Sequence, residues 1–170
     1  FGGAGYVEDT GIPVLLRDAQ VLPIWEGTTN VLSLDVLRAL ERTGGLDPVH
    51  AEVQRCADAV SAVDLPDVVQ VAQRAVDHAE QWLQEAMAQG NPTVQAGARR
   101  FALTLGHALE LALLARHAQW SYEHEGDARA LAAAERLATH RIDHIAMTNA
   151  EAAFTLANDD ALPTMSGSTA

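Results

Sequence analysis

The sequence predicts an all-α fold, and three observations carry that expectation. Alanine, leucine, valine, glutamate and arginine dominate, while aromatic residues make up only 5%, a composition that favours helix over sheet. Apolar residues recur every three or four positions over long stretches, without sustained strand-like alternation. Glycine, proline and asparagine gather at a few points that read as helix ends.

Each element follows from that pattern. Residues 1–14 read as loop, because Gly2, Gly3, Gly5, Gly11 and Pro13 punctuate them too often for a regular element. Val14–Val21 reads as a short helix stopped by Pro23. A helix from about Thr29 to Arg42 is marked by Val31, Leu34, Leu37 and Leu40, with Thr28 or Thr29 as its cap and Gly44-Gly45 as its stop. Asp47-Pro48 reads as an N-cap followed by proline at the first helical position. The helix it opens carries Val49, Val53, Cys56, Ala57, Val60 and Val63.

A helix from the Asp64–Asp67 restart to about Ala88 places Val68, Ala72, Ala75, Ala79, Trp82 and Ala86 on one face. Gly90-Asn91-Pro92 supplies stop, cap and restart in three residues. From Pro92 the pattern is helical to about His124, roughly 50 Å of helix, with Phe101, Leu105, Ala108, Ala112 and Ala115 inward. After Gly126-Asp127 a last helix is expected from about Ala128 to Ala157, through Leu131, Ala134, Ala138, Ile145 and Ala152. Short connections imply that the last four helices form an antiparallel bundle. The expected organisation is a glycine-rich motif segment over 1–43, a bundle over 47–158 and a flexible tail over 159–170.

A net charge of −12 argues against nucleic acid, whose binding rests on neutralising phosphates with basic patches. All 11 basic residues are arginine, and the densest basic spot is Arg99-Arg100. Anionic membrane surfaces are disfavoured likewise, and no apolar run approaches the roughly 20 residues of a membrane span. The single cysteine, Cys56, falls on an apolar stripe, so a buried thiol in a cytoplasmic protein is expected. His140 and His144 have the i, i+4 spacing of a helical metal pair, but no acid–His signature surrounds them and no metal site is expected. Trp82, Trp120 and Tyr122 read as core or inter-helix packing. The chain opens without Met inside a glycine-rich loop, which reads as a fragment.

Three short motifs carry chemistry. Gly2-Gly3-Ala4-Gly5-Tyr6, then Leu16-Arg17-Asp18-Ala19, then Ile24-Trp25-Glu26-Gly27-Thr28 stand in the order and spacing of one family. Residues 1–43 resemble the C-terminal part of the flavin-dependent acyl-CoA dehydrogenases. Trp25 before Glu26, and Leu34-Asp35-Val36-Leu37-Arg38 after it, look closest to the AidB-like branch, which also has a helical C-terminal extension. The resemblance implies an acyl-CoA thioester substrate and FAD as cofactor. Glu26 would remove the α-proton, and the backbone at Glu26 and Gly27 would hold the thioester carbonyl. Thr28 and Asn30 fall where the family contacts FAD. Gly2 and Gly3 fall where it reaches FAD, often that of a neighbouring subunit, which implies a homo-oligomer. An electron-accepting flavoprotein is a further possible partner. The branch's C-terminal region has been linked with DNA, a role this acidic bundle does not suit.

Elementary chemistry agrees with that reading. The α-proton of a thioester is a weak acid, so its base needs a raised pKa and the enolate needs fixed donors. Burial beside Ile24 and Trp25 would raise a carboxylate's pKa, and a following helix N-terminus would partly oppose this. The same N–H groups suit an oxyanion or a phosphate, and Gly27 lets a ligand approach the backbone. Arg17-Asp18 reads as a structural ion pair or helix-end contact. Pro13 and Val14 stand where the family often has an acid and a base, so an ion pair there is lost. The alternative reading is a helical oligomerisation or interaction module with vestigial flavin chemistry. Under either, the isolated chain is expected to bind FAD weakly or not at all and to show no turnover.

Overall fold

A computed structural model describes residues 1–25, 27–62, 65–147 and 149–158. Among these the elements are two 3-10 turns, Gly2–Gly5 and Glu8–Thr10, and seven helices. The helices are α1 (Ile12–Trp25), α2 (Thr29–Thr43), α3 (Asp47–Asp58), α4 (Leu65–Gln89), α5 (Asn91–Glu125), α6 (Arg129–Ala138) and α7 (Ala150–Ala157). No strand occurs among the described residues, so the all-α expectation holds. The tail expected over 159–170 lies outside the described residues.

The bundle is organised around α5, whose length lets α2, α3, α4, α6 and α7 all pack against it. Gly90 alone joins α4 to α5, with φ of 109°, a backbone conformation that side chains resist. The two long helices therefore run back along each other, and their interface is the most extensive in the molecule. Its seam is built from Ala72, Ala75 and Ala79 of α4 and from Ala108, Ala112, Ala115 and Ala118 of α5, all at most 3% exposed. Methyl-sized side chains allow helix axes to approach to about 8 Å. Larger groups close the ends. Phe101 is fully buried, and its ring lies 5.5 Å from that of Trp82. Gly97 faces Trp82 so closely that a methyl there would overlap the far edge of the indole.

Polar groups also fasten the core. Gln119 on α5 is 6% exposed, and its Oε1 accepts from the backbone N–H groups of Ser61 (2.9 Å) and Ala62 (2.8 Å). These bonds hold the turn between α3 and α4, which α3 leaves already at Asp58. Cys56 is fully buried, as expected, and burial pushes its thiol pKa above the usual value.

Several boundaries differ from the sequence expectation. α1 begins at Ile12 and carries Pro23 inside it. Pro13 stands in the first turn, where a missing N–H costs nothing. Pro23 falls in the last turn and forfeits one hydrogen bond, and the helix continues only to Trp25. Leu46, not Asp47, occupies the N-cap position of α3.

The expected helix 128–157 is broken into α6 and α7, with the described residues 139–147 between them irregular. The segment contains Thr139, Ile142 and Ile145, β-branched residues that resist helix. Asp143 competes with helix locally, its Oδ1 accepting from the Ile145 N–H at 2.8 Å. Tertiary contacts complete the break. Ile142 is 3% exposed, and the His144 N–H donates to the buried Thr104 Oγ1 at 2.9 Å. Asn149 then caps α7, accepting from the Ala152 N–H at 3.0 Å.

Candidate functional site

The motif segment stands apart from this core in its exposure. Among the described residues of α1 only Pro13 is buried. Leu15, Leu16, Leu22, Ile24 and Trp25 are all more than half exposed, Trp25 to 81%. α1 packs against the two 3-10 turns that precede it. Thr10 Oγ1 lies 2.6 Å from the Ala4 carbonyl and 2.9 Å from that of Val7, so its single proton is shared between the two acceptors. Arg17 grips Glu8 through two nitrogens, at 3.0 and 2.9 Å. That hydrogen-bonded guanidinium holds the Glu8 carboxyl below its usual pKa. Arg17 thus makes a structural ion pair, with Glu8 as its partner.

α2 is anchored where α1 is not. Ser33 is 2% exposed and its hydroxyl donates to the Thr29 carbonyl at 2.6 Å, while Val36, Leu37 and Leu40 pack against the core. Gly44 ends the helix with φ of 82°, its N–H bonding to the Leu40 carbonyl at 3.0 Å. The start of α2 is thereby fixed relative to the bundle. Gly27 turns the chain into it with φ of 105°, a left-handed value at which a Cβ is strained. Thr28 is the N-cap residue, in extended backbone geometry, yet its side chain makes no capping hydrogen bond. The first N–H groups of α2 have no partner within the helix, as at any helix N-terminus.

Glu26, which the resemblance names as the base, lies outside the described residues. Gly27, Thr28 and Asn30 come together at the opening turn of α2. Gly2 and Gly3 do not join them. They form an exposed 3-10 turn that precedes the 14-residue α1 and packs against it. Gly2 has φ of 53° and nothing near its Cα face, leaving its backbone open.

Asn30 and Leu34 also line a cleft of about 630 Å³ between α2, the first turns of α5, and α7. Phe154 of α7 forms part of its wall, and Arg99 and Arg100 stand at it, without an ion pair among the described residues. The doublet was visible in the sequence, but its neighbours come from helices far apart along the chain. Trp120 and Tyr122, expected to pack inside, are 48% and 54% exposed. Trp120 instead stacks with His117 and His124 along the outer face of α5, at 5.9 and 5.2 Å. An eight-residue span of i, i+3 and i+7 neighbours produces that ladder without burial. His140 and His144 share no helix, and no cluster of metal-ligating side chains occurs among the described residues.

Among the described residues the chain is all-helical, with a glycine turn at the start of α2 and an exposed apolar α1 ahead of it, which defines a helical-bundle domain. Comparison with known proteins agrees. Residues 46–161 match the family described as Acyl-CoA dehydrogenase 11 C-terminal domain-like, and residues 1–41 match Acyl-CoA dehydrogenase, C-terminal domain. The first match spans more than half of the chain. The chain belongs to the acyl-CoA dehydrogenase family, as its C-terminal region. Acyl-CoA dehydrogenase family member 11 of Caenorhabditis elegans is 42% identical over 69% of this chain and 20% of its own length. AidB of Escherichia coli (strain K12) is 47% identical over 30% of this chain and 9% of its own. 3-Methylmercaptopropionyl-CoA dehydrogenase of Ruegeria pomeroyi is 49% identical over 26% and 8%. The chain thus matches a fifth or less of these relatives' length. No solved structure matches it significantly.

Proposed function

We propose that this chain is the catalytic C-terminal piece of an FAD-dependent acyl-CoA dehydrogenase, with Glu26 as the base that removes the substrate α-proton. The observation that carries the reading is the position of residue 26. It directly precedes a left-handed Gly27 and the N-terminus of α2, which is locked to the bundle. The backbone donors of the first turn of α2 follow that position in the sequence.

The residues around it fit a cofactor and substrate of this kind. Thr28 offers a hydroxyl not used in capping, and Asn30 faces open space at the cleft. Together with the first N–H groups of α2, which have no partner within the helix, they suit the hydroxyl- and phosphate-bearing part of FAD. Gly2 and Gly3, in the exposed turn before α1, suit contact with the FAD of a neighbouring subunit in a homo-oligomer. Bound FAD would supply the acceptor for the hydride that leaves the β-carbon.

The chain's own residues do the rest. Glu26 takes the α-proton onto a carboxylate oxygen. Gly27 allows the thioester carbonyl to approach the backbone, and the N–H at residue 26 steadies the developing enolate oxygen. Ile24 and Trp25, bare in this chain, would exclude water once the acyl-binding domains of the parent cover them. Exclusion of water favours the protonated acid and so strengthens the base. On this reading residues 1–43 carry the chemistry and 47–158 the scaffold. The isolated chain lacks the rest of the pocket and turns nothing over.

The test is anaerobic mixing of the full-length parent with acyl-CoA. The wild type should bleach its flavin absorbance, and Glu26→Gln should keep its flavin but lose bleaching. A Glu26→Gln parent that bleaches at the wild-type rate removes Glu26 from the mechanism.

The bare apolar face of α1 also supports a second reading, an association module whose flavin chemistry has lapsed. That reading requires a parent that is colourless and cannot be reconstituted with FAD.

A further inference from the structure

We propose that His107 and His144 form a proton-operated clasp, which fastens the 139–147 segment to α5 when at most one ring is charged and releases it when both are. His107 Nδ1 and His144 Nε2 lie 2.8 Å apart, with ring centroids 4.9 Å apart. A hydrogen bond between two ring nitrogens needs one to donate and the other to offer a lone pair. An imidazolium carries hydrogen on both nitrogens, so two charged rings lose the bond and repel each other in a half-buried site.

The surroundings set the direction. Burial, then the neighbouring His107 and Arg141, lower the proton affinity of His144 below its usual value, and Asp143 partly opposes them. From α4, His78 Nδ1 lies 2.5 Å from Asp143 Oδ2, a contact that holds the segment from its other side. From α5, Thr104 offers only a hydroxyl, which accepts the His144 N–H whatever the pH. The His107–His144 pair is therefore the contact that acid breaks.

The sign follows from proton linkage. The closed state binds fewer protons than the open one, so closure is complete above the usual histidine range and is lost as pH falls through it. Opening frees the link to α7, whose Phe154 walls the cleft that contains Asn30. The clasp does not depend on the flavin reading.

The experiment is an NMR pH titration of the isotopically labelled 170-residue chain from about pH 8 to about pH 5. Ring-nitrogen shifts and the exchange protection of the His144 amide are followed together. The wild type should show two coupled ring titrations, and its segment-opening constant should rise by up to about tenfold per pH unit. Protection of core amides on α4 and α5 should stay constant. His107→Gln, which can hydrogen-bond but takes up no charge, should keep the segment closed and reduce that slope to the part that burial of His144 alone leaves. His144→Gln should keep the segment closed and abolish that slope. Independent ring titrations with unchanged His144 protection would overturn the proposal, as would a wild-type slope surviving in either variant. If both variants unfold, the wild-type titration alone decides.

Discussion

Replacing Gln119 by leucine should loosen the joint between α3 and α4. The side chain sits at 6% exposure on α5 and satisfies two backbone N–H groups, at Ser61 and Ala62, across 58 and 57 residues of sequence. Leucine has similar volume, so the packing change is small and the lost hydrogen bonds dominate. The Ser61 N–H lies on an exposed residue and can turn to water, a loss of about 0.5–1 kcal/mol. The Ala62 N–H is half-buried and is left poorly paired, costing about 1–2 kcal/mol. The sum, roughly 2 kcal/mol, corresponds to a fall in Tm of about 4–8 °C for a domain of this size. Thermal melting followed by circular dichroism measures it, and amide exchange at Ser61 and Ala62 locates it. An unchanged Tm, with both amides as protected as in the wild type, would refute this account of the turn.

Other perturbations have equally definite outcomes. Phe101→Ala empties the best-buried large position in the core and should cost about 3–5 kcal/mol in a urea titration. Gly97→Ala forces a methyl against Trp82 and should cost about 1–3 kcal/mol. Adding Trp82→Phe should recover part of that loss, because the smaller ring vacates the overlap. Native Cys56 should resist a thiol reagent at mildly alkaline pH and react at once after denaturation, since burial both hides the sulfur and keeps it protonated. Its folded pKa is raised, so its contribution to stability is full below the usual thiol range and falls as pH rises above it. A melt at increasing alkalinity checks the sign.

How far the sequence foretold this structure depends on where the information lay. Helix ends were legible wherever a glycine had to take a left-handed turn, at Gly44, Gly90 and Gly126. The alanine seam was legible too, because its spacing along α4 and α5 is local. The break after α6 was not. Ala138, Ile145 and Ala152 continue the helical period, while the bonds that divert the chain come from Thr104 and His107, roughly forty residues earlier. The exposure of Trp120 and Tyr122 was hidden for a related reason, since an aromatic on a helix declares its face only when the neighbouring helices are placed.

At the candidate site, the motifs were legible by resemblance, and the positive φ of Gly27 accords with the turn they require. The separation of Gly2 and Gly3 from Thr28 and Asn30 was not legible. It reflects a 14-residue α1, longer than its proline suggested.

The most direct measurement is of the proton itself. The full-length parent is incubated with a non-oxidisable acyl-CoA thioester in deuterium oxide, and exchange at the α-carbon is followed by NMR. The account predicts wash-in of deuterium by the wild type and none above background by Glu26→Gln carrying its full complement of flavin. Exchange at an undiminished rate in that variant would contradict it.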